Sequence, residues 1–438
     1  PWSLFMVSFQ LSFTAVVMIG YLSPILSEWC FFLAAKIRKV VSSSLAVQIG
    51  LFPILIYYFN QISLLSLVSN LILMPLISFI LLLLLIFIIV NMFSSYCASI
   101  IAFIIKFLLD LNSNIIEVLT SNFNVILVMP SPSVLIMILY YIIIYNSKKL
   151  LQVPRIPYGK QKFKKIFIIL LSLVIIVVAV GFEANNNLEL IFFAVGLGDG
   201  IYIKTPSGRD VLIDGGSNGQ EVINFLKREG ITEIDLIFIS HFHNDHVGGI
   251  IEVLKNCAVN KICYPPTFNN SLQSKLIETI KNQTQKTEMV VLRAGDEIIL
   301  GPVQFLVLNP KSELIETSKL NNNSLVLKMK YKQFNALLTG DIEQEAERRL
   351  VNSHLDLKAN LLKIAHHGSD SSSTVNFLKK VEPDLSIISV GNNIHGLPDK
   401  KIEARLEKLG GKKLRTERQG AIMINTDGYS YDYQSYLD

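Results

Sequence analysis

The chain has 438 residues, of which 51% are hydrophobic and only 17% charged, with a formal net charge of +5; soluble proteins carry ~25% charged residues, so a single water-soluble globule is excluded. The charge is also uneven, because residues 1–187 hold 11 Lys/Arg and 4 Asp/Glu, and the stretch from Val41 to Ile105 has no charged side chain. Four cysteines without a Cys-x-x-Cys spacing exclude a small disulfide scaffold.

The first half reads as membrane. The chain begins at Pro1 with an apolar segment almost at once, so it reads as the back part of a longer membrane protein. A helix that crosses a bilayer needs ~20 mainly apolar residues. Leu4–Leu26, Ser43–Phe59, Leu64–Val90, Ala98–Thr120 and Ile166–Gly181 meet that need, and Val134–Tyr145 is a shorter candidate. Lys and Arg collect in short cytoplasmic loops. One basic loop holds Lys36, Arg38 and Lys39, and a second, residues 147–165, is basic without an acid. Four crossings separate them if Val134–Tyr145 counts as one, so both fall on one side, and Ile166–Gly181 is then expected to deliver residues 188–438 to the outer face of the plasma membrane. Gln10, Gln48, Asn70, Lys106, Asp110 and Glu117 are the polar groups of this half, open to interhelical hydrogen bonding or to lining a pathway. Pro24, Pro53 and Pro75 are expected to kink or end helices.

The pattern then changes to short apolar runs punctuated by Gly, Asn, Asp and Pro. Strands are predicted at Leu188–Phe193, Gly200–Lys204, Asp210–Ile213, Leu236–Ile239, Lys261–Tyr264, Val303–Leu308, Ser324–Tyr331, Ala336–Thr339, Leu361–Ile364 and Leu385–Val390. Helices are predicted at Asn218–Glu229, Ile342–Asn352, Ser373–Val381 and Lys400–Lys408. Strands interleaved with helices over ~250 residues argue for a mixed α/β domain.

Directly after the run Leu236–Ser240 stands His241-Phe-His243-Asn-Asp245-His246. Three imidazoles and a carboxylate in six residues supply nitrogen and oxygen ligands for a divalent ion. Gly248 and Gly249 then permit close backbone turns. A second cluster, His366-His367-Gly368-Ser369, follows another strand-like run; one imidazole is expected to bind metal and the other to contact substrate or protonate a leaving group. Asp341, after Leu337-Leu-Thr-Gly340, is either a bridging carboxylate or a helix N-cap. Lys408, Lys412, Lys413, Arg415 and Arg418 form a basic cluster that is either a phosphate-binding patch or a solvated helix end. Cys257 and Cys263 permit a disulfide without demanding one.

In their order, Asp214-Gly-Gly, the H-x-H-x-D-H run, Thr339-Gly-Asp341 and His366-His-Gly-Ser resemble the metallo-β-lactamase superfamily, and their wording is similar to that of the ComEC family of DNA-uptake competence proteins. Ser8-Phe-Gln-Leu-Ser-Phe13 resembles that family's competence region. The resemblance implies competence-type transmembrane helices over 1–146, a basic cytoplasmic loop and last membrane helix over 147–187, and an αββα four-layer sandwich over 188–438. It implies a channel for single-stranded DNA whose outer metal-dependent nuclease hydrolyses the other strand without regard to sequence. Carried over position by position, His241, His243, Asp245, His246, Asp341 and one of His366 and His367, assigned as His367, would be ligands for two divalent ions, manganese or zinc. Asp245, His366 and Asp341 would be catalytic, and Asn323, Ser324, Ser369 and Ser372 would meet substrate. The missing His between His246 and His354 leans the metal toward manganese. Ala194, Leu197 and Leu397 depart from the family wording, which keeps open a channel with a degenerate hydrolase domain; a membrane-tethered phosphoesterase of another substrate is the remaining alternative. No nucleotide-binding glycine loop is present, so a separate ATP-driven motor and other competence proteins are expected partners.

Overall fold

The structure, a computed structural model, describes residues 2–63, 66–122, 126–151, 187–266, 270–282 and 286–437. The chain divides into two compact units, one of residues 1–183 with Lys227–Gly230 and one of residues 184–226 and 231–438.

Among the described residues, the first unit has five α-helices: α1 (Val7–Trp29), α2 (Ala35–Phe59), α3 (Ser66–Asn91), α4 (Ser95–Asn122) and α5 (Val134–Leu151). Val7–Glu28, Ala35–Phe59 and Ser95–Val118 are long and apolar enough to cross a membrane, while Leu76–Asn91 and Val134–Tyr145 are shorter apolar helices. The expected helix Ile166–Gly181, and most of the second basic loop, lie outside the described residues. Lys36, Arg38 and Lys39 stand on the first turn of α2 rather than in a loop. There the Arg38 guanidinium donates to the Phe31 and Leu33 carbonyls at 3.0 Å each, just beyond the end of α1. Pro24 and Pro53 sit inside α1 and α2 without ending them.

α1 and α2 approach closely at Gly50, where a Cβ would come within 2.2 Å of the Met18 side chain. Small residues at such contacts are how helices associate where no hydrophobic effect drives them together. Polar side chains bond between helices: Tyr58 Oη donates to Gln10 Oε1 at 2.9 Å, and Tyr140 Oη to the Ile49 carbonyl at 2.6 Å. Lys106, Asp110 and Glu117 all ride on α4 as exposed residues. An unforeseen pairing joins β1 (Gln61–Ser63) to β2 (Ile126–Val128) antiparallel.

The second unit is a four-layer α/β sandwich. One sheet has eight strands in the order β17-β16-β3-β4-β5-β6-β7-β8, the other seven in the order β15-β14-β13-β12-β11-β10-β9. In the first, β3 (Leu188–Phe192), β4 (Gly200–Lys204) and β5 (Asp210–Gly215) are antiparallel, and β5, β6 (Glu233–Phe238), β7 (Ala258–Tyr264) and β8 (Glu288–Val291) run parallel. In the second, β9 (Glu297–Leu300), β10 (Val303–Asn309), β11 (Val326–Tyr331) and β12 (Phe334–Leu338) are antiparallel, and β12, β13 (Leu361–Lys363), β14 (Leu385–Ile388) and β15 (Lys412–Arg415) run parallel. The C-terminal hairpin β16 (Ile422–Thr426) and β17 (Tyr431–Ser435) adds to β3.

Period-two alternation decides which residues meet. Leu188, Leu190 and Phe192 of β3 join Phe238, Phe305, Phe334 and Leu338 in the core between the sheets. Their neighbour Ile191 turns the other way, onto a core shared with the helices Gln220–Glu229, Asn244–Asn256 and Ser271–Lys281. Leu337 of β12 likewise faces the helices Gln344–Val351, Val375–Val381 and Lys400–Leu409. The predicted strands and helices are therefore present with shifted ends. Asn244–Asn256, Ser271–Lys281, β8, β9 and β15 to β17 went unforeseen. Cys257 and Cys263 are not joined in a disulfide.

Candidate metal centre

The centre lies where the parallel strands of both sheets end. After β6, Ser240 and His241 leave the sheet, and the helix Asn244–Asn256 starts so soon that Asp245 and His246 occupy its first turn. Gly248 and Gly249 are helical residues, not turn residues. A Cβ on Gly249 would come within 1.8 Å of the Gly215 carbonyl, so glycine is what lets this helix lie against the end of β5. After β12, Asp341 turns inward, and the N-cap of the following helix is Glu343 instead. After β13, His366 and His367 adopt left-handed backbone at φ 51° and 53°, a conformation that costs roughly 1–3 kcal/mol per non-glycine residue and concentrates at functional sites.

One ligand atom each from Asp245, His246, Asp341 and His367 lies within 4.8 Å of the others. Asp341 Oδ2 is 3.2 Å from His246 Nε2 and 3.2 Å from His367 Nε2; Asp245 Oδ2 is 3.4 Å from His367 Nε2 and 3.7 Å from His246 Nε2. The far nitrogens are fixed by the protein. His246 Nδ1 bonds Asp214 Oδ2 at 2.9 Å, and His367 Nδ1 bonds the Ser389 carbonyl at 2.9 Å. Imidazoles oriented through one nitrogen by a carboxylate or carbonyl, with the other nitrogen left for an ion, are the usual arrangement of histidine ligands. His367 Nε2 is buried and has no hydrogen-bond partner among the described residues. These residues fit a divalent ion.

His241 sits beside this group, its Nε2 4.0 Å from Asp341 Oδ2 and 3.0 Å from His243 Nδ1. His366 lies apart from the cluster at the mouth, 27% exposed, its Nδ1 3.3 Å from Ser371 Oγ and 3.5 Å from Glu343 Oε1. Ser369 Oγ is 3.0 Å from Ser371 Oγ. Ser324 Oγ accepts from the Asp341 amide at 3.4 Å. Asn323 binds the Ile315 amide and carbonyl at 2.9 and 2.8 Å, and Ser372 Oγ donates to the Ala365 and Ser369 carbonyls at 2.9 Å, so both are engaged with the chain's own backbone.

Four residues of the centre were not foreseen as site residues: Asp199, Asp214, Ser240 and Lys363. Asp214 accepts from the Ser240 amide at 2.8 Å and its hydroxyl at 2.5 Å, besides orienting His246. Asp214 has left-handed backbone at φ 55° ahead of two glycines, the one sequence signal available for it.

Burial and charge oppose each other here. Burial pulls the His241 imidazole well below its ordinary range, and the neighbouring His246 pulls it further. For His367 burial is outweighed by Asp341 and Asp245, which lift it to about 9. Asp341 and Asp214 hold His246 well above its ordinary range against burial. Burial would raise Asp341, yet His367, His246 and Lys363 hold it well below. The basic cluster near the C-terminus is largely self-neutralised: Lys413 pairs with Glu407 at 2.6 Å, Arg415 with Glu403 and Glu417, and Arg418 with Glu417 at 3.9 Å.

Fold and donor set together make the second unit a metallo-β-lactamase domain, and residues 195–391 match the family model described as metallo-beta-lactamase superfamily. Residues 1–152 match the model described as competence protein, and the chain, with both regions in this order, belongs to the ComEC-type competence proteins. It is 28% identical to ComE operon protein 3 of Bacillus subtilis, across 96% of this chain and 56% of that protein. Competence protein ComA of Neisseria gonorrhoeae is 26% identical across 55% of this chain and 32% of its own length. This chain thus spans about half the length of the first of these relatives and less of the second. The solved metallo-beta-lactamase fold protein YhfI from Bacillus subtilis superposes with a TM-score of 0.39 at 11% identity, covering 55% of this chain and all of YhfI. The competence match and the three long apolar helices indicate a membrane protein.

Proposed function

We propose that the chain forms part of a multi-pass channel in the bacterial plasma membrane that admits single-stranded DNA, and that its second unit, on the outer face, hydrolyses phosphodiesters of the strand left outside. The observation that carries the nuclease reading is the convergence of Asp245, His246, Asp341 and His367 within 4.8 Å at the strand ends. A divalent ion held there, manganese or zinc, supplies positive charge for the phosphoryl oxygens and acidifies a water molecule. His241 and His243 stand next to that group as candidate ligands for a second ion.

The protein's own part is positional. Asp214 and the Ser389 carbonyl fix the two buried imidazoles from behind. Asp245, its side chain 31% exposed, borders the open side of the cluster. His366 at the mouth is placed to give a proton to the departing oxygen, and Ser369 and Ser371 are placed to donate to a phosphate. With no base-reading element among the described residues, recognition rests on the phosphodiester and not on sequence. Energy for inward movement comes from a separate ATP-driven motor.

The test is DNA cleavage by the full chain in detergent micelles with manganese, zinc or magnesium. Cleavage should require one of the first two and vanish in Asp245→Ala; cleavage that persists in Asp245→Ala rejects the site. Orientation is tested by protease added to intact cells, which should remove the second unit.

A further inference from the structure

Lys363 closes β13, and its side chain is fully buried. An ammonium taken out of water costs several kcal/mol unless good partners receive it. Here its Nζ pairs with the Asp199 carboxylate, lies 3.4 Å from Asp341 Oδ1 and donates to the Gly340 carbonyl at 3.0 Å. Asp341 is thereby divided between two tasks. Its Oδ1 faces the lysine, while its Oδ2 faces His246 Nε2 and His367 Nε2 at 3.2 Å each. Asp199 is divided in the same way: one oxygen pairs with Lys363, and the other, buried and without a hydrogen-bond partner among the described residues, lies 3.8 Å from His367 Nδ1. Asp199, Asp214 and Asp341 are all buried in this one region, and Lys363 is the buried lysine that meets two of them.

Resting on the metal-centre reading, we propose that Lys363 is a positioning residue of that centre: a built-in cation that holds Asp341 by one oxygen, leaves the other for a divalent ion, and balances Asp199 and Asp341 while no ion is bound. A lysine fulfilling this role matters most to the metal-free protein. When an ion arrives, it supplies charge that the lysine alone must supply before.

The experiment compares thermal unfolding of the full chain in detergent micelles with EDTA and with manganese, read by limited proteolysis of the second unit. In Lys363→Met the metal-free form should lose far more stability than the loaded form, so the manganese-induced rise in melting temperature should exceed that of the unaltered chain by roughly 5 °C or more. Adding Asp199→Asn to Lys363→Met should bring that rise back toward its original size. Asp199→Asn alone should shrink it, because Lys363 then bears on Asp341 undivided and competes with the ion. These last two variants keep the test decisive if Lys363→Met does not fold in EDTA. A lysine that only fills space would lower both melting temperatures alike, and an unchanged rise across the variants overturns the proposal. If the unaltered chain shows no rise with manganese or zinc, the metal-centre reading falls and the proposal with it.

Discussion

His367 Nε2 lies 3.2 Å from Asp341 Oδ2, yet it makes no hydrogen bond among the described residues. Its neighbour His366 is turned to the mouth beside Ser371 and Glu343. The two adjacent imidazoles should therefore differ in kind. His367→Ala should abolish tight binding of manganese, measured by titration against a chelator, whereas His366→Ala should leave binding within a few-fold of the unaltered chain and lower only turnover. Equal losses of binding in both variants would remove the distinction drawn between them.

Asp214 is buried, and it accepts from His246 Nδ1 and from both Ser240 donors. Asp214→Asn keeps the shape and removes the charge that orients the imidazole. Partners of this kind contribute ~10–100-fold to metal affinity, and a loss of that size is expected in the same titration. Unaltered affinity would mean that His246 is held by packing alone.

The metal-free protein should be most stable within a bounded pH window. The His367 pKa is raised to about 9, above the ~6.5 of an unfolded histidine, so its contribution is complete below pH ~6.5 and is lost as pH rises through about 9. His241 has the opposite sign: its folded pKa is depressed, so its contribution is present above pH ~6.5 and lost as pH falls below that value. Unfolding in EDTA between pH 5 and 10 should show stability declining on both flanks. A profile still rising at pH 9 would contradict the charge placed on His367.

Gly249→Ala tests how the centre is braced. Alanine favours a helix by ~1 kcal/mol over glycine, but its Cβ would stand 1.8 Å from the Gly215 carbonyl. Backbone cannot yield as a flexible side chain does, so overpacking wins and a net loss of ~2 kcal/mol is expected in denaturant unfolding. Metal affinity should drop as well, because the displaced helix carries Asp245 and His246 in its first turn. A stabilised variant would show that the helix is free to move.

The contiguous run His241 to His246 was legible because its spacing in sequence is its spacing in space, and the apolar run Leu188–Phe193 announced a strand, though not that Ile191 and Phe192 would face different cores. Lys363 was not legible. A lysine inside Leu-Leu-Lys-Ile reads as an interruption of an apolar run until Asp199 and Asp341, from distant parts of the chain, are seen to receive it. Gly248 and Gly249 read as a turn, since the close packing that requires glycine in this helix depends on Gly215 and Ser217 on another segment. Lys412, Lys413 and Arg415 were read by charge, and the strand they form appears only through parallel pairing with β14. His366 and His367 were visible as a pair, but the left-handed backbone that separates their roles was not.

The converging donors come from opposite halves of the sandwich: Asp245 and His246 follow a strand of the eight-stranded sheet, Asp341 and His367 follow strands of the seven-stranded one. An ion seated among them is thus a further cross-link between two halves that also meet through their apolar core and the Lys363–Asp199 pair. On the proposed function, loading such a joint should tighten the interior far from the chemistry, and withdrawing the ion should cost the domain some of its resistance to protease as well as its turnover.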